Sequence, residues 1–391
     1  MGLSETLGGA FDFDLCTVSV HFYPQVYWLM SVQQISIQRL RNLTHVEVDF
    51  DEGINLLYGL NASGKTSVLE AIHMLGLGRS FRSLKLTSVI AQGHTDCLLF
   101  ARIKNAQGGV DALGMSRRLD GAHKVRLNGD NLSSVADLAS LLPIQLIDPN
   151  SSALIEAGPS VRRQYLDWGV YHHNASFLGL WKQAQRLLKQ RNSALKCGTM
   201  SAHVRASFDP GLVEVSEQLN SLREAYLKLL EPVFFELLAG LVDLPNLKLG
   251  YYSGWTAKRS YAEVLDENLE RDLKLGYTQR GPQRADVKLT LHGVNAVERL
   301  SRGQQKLVVV ALKLAQGKLL SDAQGRKCIF LVDDLAAELD WSHREEICRQ
   351  LVKLNTQVFV TSVGPNELND CWPETATIKM FHVKEGQVSQ A

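Results

Sequence analysis

Apolar and polar residues alternate with period two over Gln34 to Leu40 (QISIQRL) and again over His45 to Phe50 (HVEVDF), which predicts two strands. A third, INLLYG, runs directly into the stretch YGLNASGKTS, Tyr58 to Ser67. Beyond it Val68, Leu69, Ile72 and Leu75 recur at helical spacing and predict a helix with one buried face. Further strands are predicted at CLLFARI from Cys97 and KVRLNG from Lys124, with Asn128-Gly129 as a hairpin turn. The chain reads as β-rich up to Pro149.

The pattern then changes. From Pro159 to about Leu238 it is helical. Leu212, Val215, Leu219, Leu222, Tyr226, Leu229 and Val233 form an a/d heptad stripe. Two readings stay open: a core helix of a helical lobe, or one strand of a short antiparallel arm paired with Asn174–Lys196. In the second, CGTMSAHVRASFDPG supplies the turn, and Pro232 ends or kinks the later helix. Strand character returns at NLKLGYY and DVKLTLHG. A helix is expected after Gly303, then the strand CIFLVDD, a helix from Trp341 to about Leu354, the strand QVFVTSV, and a hairpin around KEGQ. Strands alternating with helices predict an α/β lobe in which the helical section is an insertion.

Composition narrows the class. A hydrophobic fraction of 45% with 21% charged residues suits a globular chain, and 391 residues suggest two or three lobes. The net charge of +1 means that any nucleic-acid surface must come from local clusters of Lys and Arg. The cysteines, Cys16, Cys97, Cys197, Cys328, Cys348 and Cys371, form no C-x-x-C pair, so neither a disulfide framework nor a zinc site is indicated and a cytoplasmic setting fits. No apolar run reaches the ~18 residues that span a bilayer. The first 29 residues lack a basic start and match the myristoylation pattern only at Thr6. Met30 is expected as the natural start, with 1–29 an upstream, poorly packed extension.

Gly59-x-x-x-x-Gly64-Lys65-Thr66 is the phosphate-binding loop pattern, in its proper strand–loop–helix context. Backbone N–H groups of Gly59, Leu60, Asn61, Ala62, Ser63 and Gly64 at a helix start are suited to cradling phosphates. Lys65 would reach the β- and γ-phosphates, and Thr66 would hold Mg²⁺. IFLVDD, Ile329 to Asp334, is an apolar strand delivering two acids: Asp333 toward the metal and Asp334 toward the attacking water. With Lys65, Asp334 is the catalytic candidate. Its short side chain predicts slow hydrolysis.

LSRGQQK, Leu300 to Lys306, resembles the signature motif of ABC-type ATPases, in which such a motif contacts the γ-phosphate held by the other subunit. Ser301, Gly303 and Gln304 are the candidates. Ser301 as a plain helix cap is the alternative, and the same free N–H groups serve both roles. The long gap between Lys65 and Ser301 resembles the SMC-like branch, which acts on DNA. Beyond these motifs, MSVQQISIQRLRN, GLNASGKTSVLEAIHMLGLGRSFRS, PIQLIDPNSSALIEAGPSVRRQYLDWGVYH, LLKQRNSAL, GPQRADV, LSRGQQK and LVDDLAAELD are similar to the RecF family of bacterial gap-repair ATPases, from Met30 to the C-terminus.

That resemblance implies an ABC-type, SMC-like ATPase head, 30–150 with 245–391, carrying an inserted helical lobe and short arm at 151–244. It also implies an ATP-sandwiched homodimer on double-stranded DNA near single-strand gaps, weak DNA-stimulated ATP hydrolysis, and cooperation with RecR to load RecA. Gln145 would be the Q-loop residue and Asp340 the D-loop acid. Ala62, Gln283 and Ala336 depart from the residues usual at their places, and the roles of Gln283 and Arg284 stay open. For DNA, Lys182, Arg186 and Lys189 share one helical face, and Arg79, Arg82, Arg162 and Arg163 are further candidates, the alternative being solvated surface charge. A transporter ATPase subunit and a small-molecule kinase are the rival classes. The insertion argues against the first, and the signature with its partner acids against the second.

Overall fold

The computed structural model describes residues 31–83, 85–105, 108–132, 134–198, 200–256, 258–335 and 339–391. The expectations for 1–29, for Met30 and for Ala336 lie outside these residues. The described chain forms two compact units, one of residues 31–151 with 310–391 and one of 152–309. The second therefore extends past the 151–244 segment expected for the inserted lobe. It keeps the strands near 250 and 290, which pair with each other.

The first unit contains two six-stranded sheets. One is antiparallel, ordered β2–β1–β4–β5–β6–β7, with β1 at Ser31–Leu40, β2 at Leu43–Asp49, β4 at Asp96–Lys104, β5 at Val110–Arg118, β6 at His123–Leu127 and β7 at Asp130–Asn131. Its period-two pattern is real: Cys97, Leu99, Ala101 and Ile103 of β4 are buried, and the residues between them face outward. Asn128 and Gly129 both take positive φ (52° and 95°), as the predicted hairpin turn requires.

The other sheet is ordered β15–β14–β3–β13–β12–β8. Strands β3 (Ile54–Tyr58), β8 (Ile144–Ile147), β12 (Ile329–Val332), β13 (Val358–Ser362) and β14 (Ile378–Lys384) run parallel. β15 (Gln387–Gln390) closes the edge antiparallel through the left-handed pair Glu385-Gly386. Strands β12 and β13 are buried at every residue, which explains their unbroken apolar runs. Helix α1, Lys65–Leu77, packs against strands of both sheets. It is buried at every position from Ser67 to Gly76, not on one face as the spacing predicted. The α2 helix, Val135–Leu141, was not expected.

In the second unit α3 (Ala153–Glu156), α4 (Pro159–His173), α5 (Phe177–Lys196) and α6 (Ala202–Ala239) carry the helical section. α5 packs on α6, with Leu188 and Leu212 in one apolar cluster with Trp255, Tyr261, Val264 and Leu265. The turn is shorter than predicted: α6 begins at Ala202, capped by Ser201, and continues through Pro210 and Pro232. Its buried stripe also leaves the heptad. After Leu219 it passes through Arg223, Tyr226, Leu230 and Phe234, while Leu229 is exposed. A straight helix turns every 3.6 residues, so a strict 3.5 spacing drifts off the contact face. Strands β9 (Leu247–Tyr252), β10 (Asp286–Leu291) and β11 (Val294–Asn295) form a three-stranded sheet, and α7 (Tyr261–Glu267) and α8 (Leu269–Leu275) lie between β9 and β10 in sequence. The unit boundary falls within α9, Arg302–Gln324.

Candidate functional site

The loop from Gly59 to Gly64 joins β3 to α1. A Cβ at Gly59 would collide with Val383 O, and one at Gly64 would press on Leu43 Cδ2, so both positions need glycine. Ala62 holds a left-handed φ of 63°, which costs an L-residue about 1–2 kcal/mol. The loop is pinned from outside. Asn42 Nδ2 donates to Ala62 O (3.1 Å), Gly386 N to Ser63 O (2.9 Å) and Gly59 N to Ser362 O (3.3 Å). The strain is thus overdetermined by neighbours, as it is at many functional loops.

Lys65 Nζ donates to Gly59 O (2.6 Å) and Leu60 O (3.0 Å), so its charge lies over the loop. Partial burial lowers its pKa, opposed by the nearby charges of Asp334, Asp333 and Glu367. Thr66 Oγ1 donates to Asp333 Oδ1 at 3.0 Å, and Thr361 Oγ1 donates to the same oxygen at 2.8 Å. Two ligands about 2.1 Å from an octahedral Mg²⁺ and at right angles lie about 3 Å apart. The Thr66–Asp333 spacing fits that requirement. Among the described residues no cluster of three His, Cys, Asp or Glu could hold a metal. An ion at this place would depend on phosphate oxygens as well. Burial raises the Asp333 pKa; the two threonine hydrogen bonds oppose this, and Asp148 and Asp334 add to it. Asp334 has φ 55°, and its N–H donates to Thr361 Oγ1 (2.8 Å). Thr361 therefore braces both acids, a role that its place in the apolar strand QVFVTSV does not reveal.

Gln145, expected in the Q-loop role, sits within β8 opposite Phe330. It is 7% exposed, and its amide nitrogen donates to Gln316 Oε1 at 2.9 Å. The parallel register carries β8 on to Ile147, whose carbonyl accepts from Asp333 N (2.8 Å). The residue delivered beside Asp333 is Asp148, which the sequence reading passed over. Desolvation pushes the pKa of half-buried Lys313 down to about 8, and Asp148 opposes this. Asp340 caps the helix α10, Trp341–Lys353, through His343 N (3.1 Å). The same oxygen meets His343 Nδ1 (2.6 Å) and Ser342 Oγ (3.0 Å). These bonds hold its carboxyl below the usual range.

In the other unit Ser301 and Gln304 form a reciprocal cap: Gln304 N donates to Ser301 Oγ (3.3 Å), and Ser301 N to Gln304 Oε1 (3.0 Å). Ser301 and Gly303 are exposed, and a Cβ at Gly303 would meet nothing in this chain within 4 Å. Nothing within the described chain demands glycine there.

The basic candidates divide. Arg162 makes a bidentate pair with Asp286 (2.8 and 3.1 Å) and also donates to Ala157 O (2.7 Å). Arg163 donates to Ala285 O (2.9 Å), and burial lowers its pKa. Both side chains are committed to packing within their own unit. Arg82 approaches Glu70 (3.8 Å), a fully buried carboxylate that also holds Arg41 and Ser80. Arg79 is exposed, and its carbonyl meets His73 Nδ1 (2.8 Å). Lys182, Arg186 and Lys189 share one side of α5, the last two exposed.

Comparison with known proteins gives the family and the fold. The sequence model of the RecF/RecN/SMC N terminal domain family matches residues 31–389. The chain is 48% identical over 361 residues to the DNA replication and repair protein RecF of Pseudomonas fluorescens (strain Pf-5), covering 92% of this chain and 98% of that one. A solved structure of the recombination mediator protein RecF with ATP, of the RecFOR pathway, superposes with a TM-score of 0.80 at 27% identity over 94% of this chain and all of that one. The Smc head domain of Pyrococcus furiosus superposes with a TM-score of 0.58 at 14% identity, over 93% of this chain and 96% of that one, which shows shared fold.

Proposed function

The chain belongs to the RecF/RecN/SMC family and has the ABC-type ATPase head fold with an inserted helical lobe and arm, and from that premise we propose that it is a DNA replication and repair ATPase that ATP switches between open monomers and a DNA-bound, head-to-head dimer. The observation that carries this reading is the Thr66–Asp333 contact beside a loop whose glycines, Lys65 and helix start are arranged for phosphate.

In this reading the loop N–H groups and the start of α1 bind the phosphates, and Lys65 turns from the loop carbonyls to the β- and γ-oxygens. Thr66 and Asp333 would hold Mg²⁺, which would supply positive charge beside the phosphates. Asp334, fixed by Thr361, orients the attacking water and accepts its proton. Ser301, Gly303 and Gln304 serve the nucleotide of a second copy. The support is a capped helix start whose hydroxyl is exposed, beside a glycine with open space around it. The dimer binds double-stranded DNA near single-strand gaps and, with RecR, promotes RecA loading in the cytoplasm. No helix among the described residues is long and apolar enough to cross a membrane.

Sedimentation of the full chain with gapped duplex DNA, with and without ATP, tests this. The expected result is a dimer–DNA complex that needs ATP. DNA binding by a monomer, indifferent to ATP, would refute the switch.

A further inference from the structure

The motif Gly281-Pro282-Gln283-Arg284 is assigned no role in the nucleotide site, yet its turn is braced by several buried side chains. Buried Arg223 donates to Pro282 O (2.9 Å) while paired to Asp167 (2.7 and 2.9 Å). Buried Tyr261 donates its hydroxyl to Arg280 O (2.9 Å), and Gln283 Nε2 donates to Thr278 O (3.1 Å). Gly281, at φ 140°, packs so closely on Gly254 and Tyr261 that a Cβ on either glycine would collide. This bracing fixes the backbone at Arg280 and Arg284, whose side chains are exposed.

The two side chains meet in one groove. It has a volume of about 410 Å³ and is lined by Tyr252, Arg271, Gln279, Arg280 and Arg284. An adjoining cavity of about 480 Å³ shares Tyr252 and Arg280. Arg280 donates to Tyr252 Oη (3.0 Å), and Lys288 Nζ stands 5.0 Å from the centre of the same ring. Lys288 and Lys248 lie on the exposed side of the β9–β10 pair, so the positive surface continues along the sheet. No acid lines the groove itself, and the adjoining cavity has Glu267, which is paired with Arg259. Five arginines of this unit are paired with carboxylates, Arg162 with Asp286, Arg191 with Asp272, Arg205 with Asp266, Arg223 with Asp167 and Arg259 with Glu267. Among the described residues Arg271, Arg280 and Arg284 have no carboxylate partner. Gln279 adds a buried amide nitrogen without a hydrogen-bond partner.

Guanidiniums that line one groove with no anion between them repel one another. Holding two of them on a braced turn makes sense if an anion arrives from outside. Guanidinium forks match phosphate oxygens, and a tyrosine ring beside them suits the sugars and bases of a strand. We propose that this groove, continued by Lys288 and Lys248, is a binding site for the sugar–phosphate backbone of DNA. The proposal rests on the DNA-binding reading above and adds a surface separate from the α5 stripe.

The test is fluorescence anisotropy of a labelled gapped duplex with the full chain and ATP, over a series of salt concentrations. The triple variant Arg271→Gln/Arg280→Gln/Arg284→Gln should bind roughly tenfold or more weakly. Each lost phosphate contact should flatten the log K against log salt slope by about 0.9. Triple Lys substitution at the same positions should recover much of the slope. ATP binding should be unchanged in both, far-UV circular dichroism and thermal unfolding report the folding of the substituted unit, and Arg271→Gln alone gives a milder variant with a smaller loss. Wild-type chain that fails to bind DNA would sink the DNA reading itself. Wild-type binding with an unchanged slope in the folded triple variant would overturn only this site. Retained duplex binding with lost capture of a poly-Glu peptide would also overturn it, making the groove a protein-docking surface.

Discussion

At the scale of single residues, burial decides which charges are available for chemistry. His73 sits on α1 with its Nδ1 on Arg79 O and its ring edge-on to Phe81 (5.2 Å). Burial pushes its pKa down to about 4. The folded state therefore resists protonation that the unfolded chain accepts near pH 6.5. Stability from this group is fully present above about pH 6.5 and is lost as pH falls toward 4, by roughly 3 kcal/mol. Urea unfolding of wild type and His73→Gln across pH 4–7 should show that difference, and parallel curves would contradict it. Asp334 has the opposite standing: half-buried, and braced among the described residues through its backbone N–H, it leaves its carboxylate to meet water. Asp334→Asn should keep ATP binding and lower hydrolysis by about 10²–10⁴-fold, measured as steady-state phosphate release. The loop and both acids were legible in the sequence because glycine, lysine and paired acids have few other uses in that order. Asp148 and Thr361 were not, since a strand-end Asp and a strand Thr become informative only when register places them beside Asp333.

At the scale of elements, helices and strands were readable where one periodicity acts alone and obscured where two surfaces compete. Strands β1, β2 and β4 have one covered face, and their alternation predicted them. Helix α1 lies against two sheets, so its spacing under-reported its burial. The helices α7 and α8 went unread because each has only seven residues, too short for a period to emerge. The stripe on α6 failed at Arg223, a charge that no apolar pattern would place in a core. That residue is buried because Asp167 of α4 meets it. Arg223→Ala should leave Asp167 buried and unpaired and cost about 3–5 kcal/mol, whereas Arg223→Met with Asp167→Leu should restore most of it. Thermal unfolding of the three proteins checks the order. Equal loss in single and double variants would show that the pair does more than satisfy itself.

At the scale of the whole molecule, the account depends on a signature that serves another chain. The capping by Ser301 does not oppose this, since a capped helix start with open space at Gly303 keeps other N–H groups that can meet an anion. The D-loop reading of Asp340 is compatible with its observed cap in the same way. The most direct measurement mixes two inactive proteins. Lys65→Ala removes the phosphate contact, and Ser301→Arg puts a bulky cation where a small hydroxyl is needed. Each alone should hydrolyse ATP at least about tenfold more slowly than wild type. In an equal mixture half the dimers are mixed, each with one intact composite site, so about a quarter of the wild-type rate should return. Full hydrolysis by Ser301→Arg alone, independent of protein concentration, would contradict the account and leave Ser301 as a helix cap.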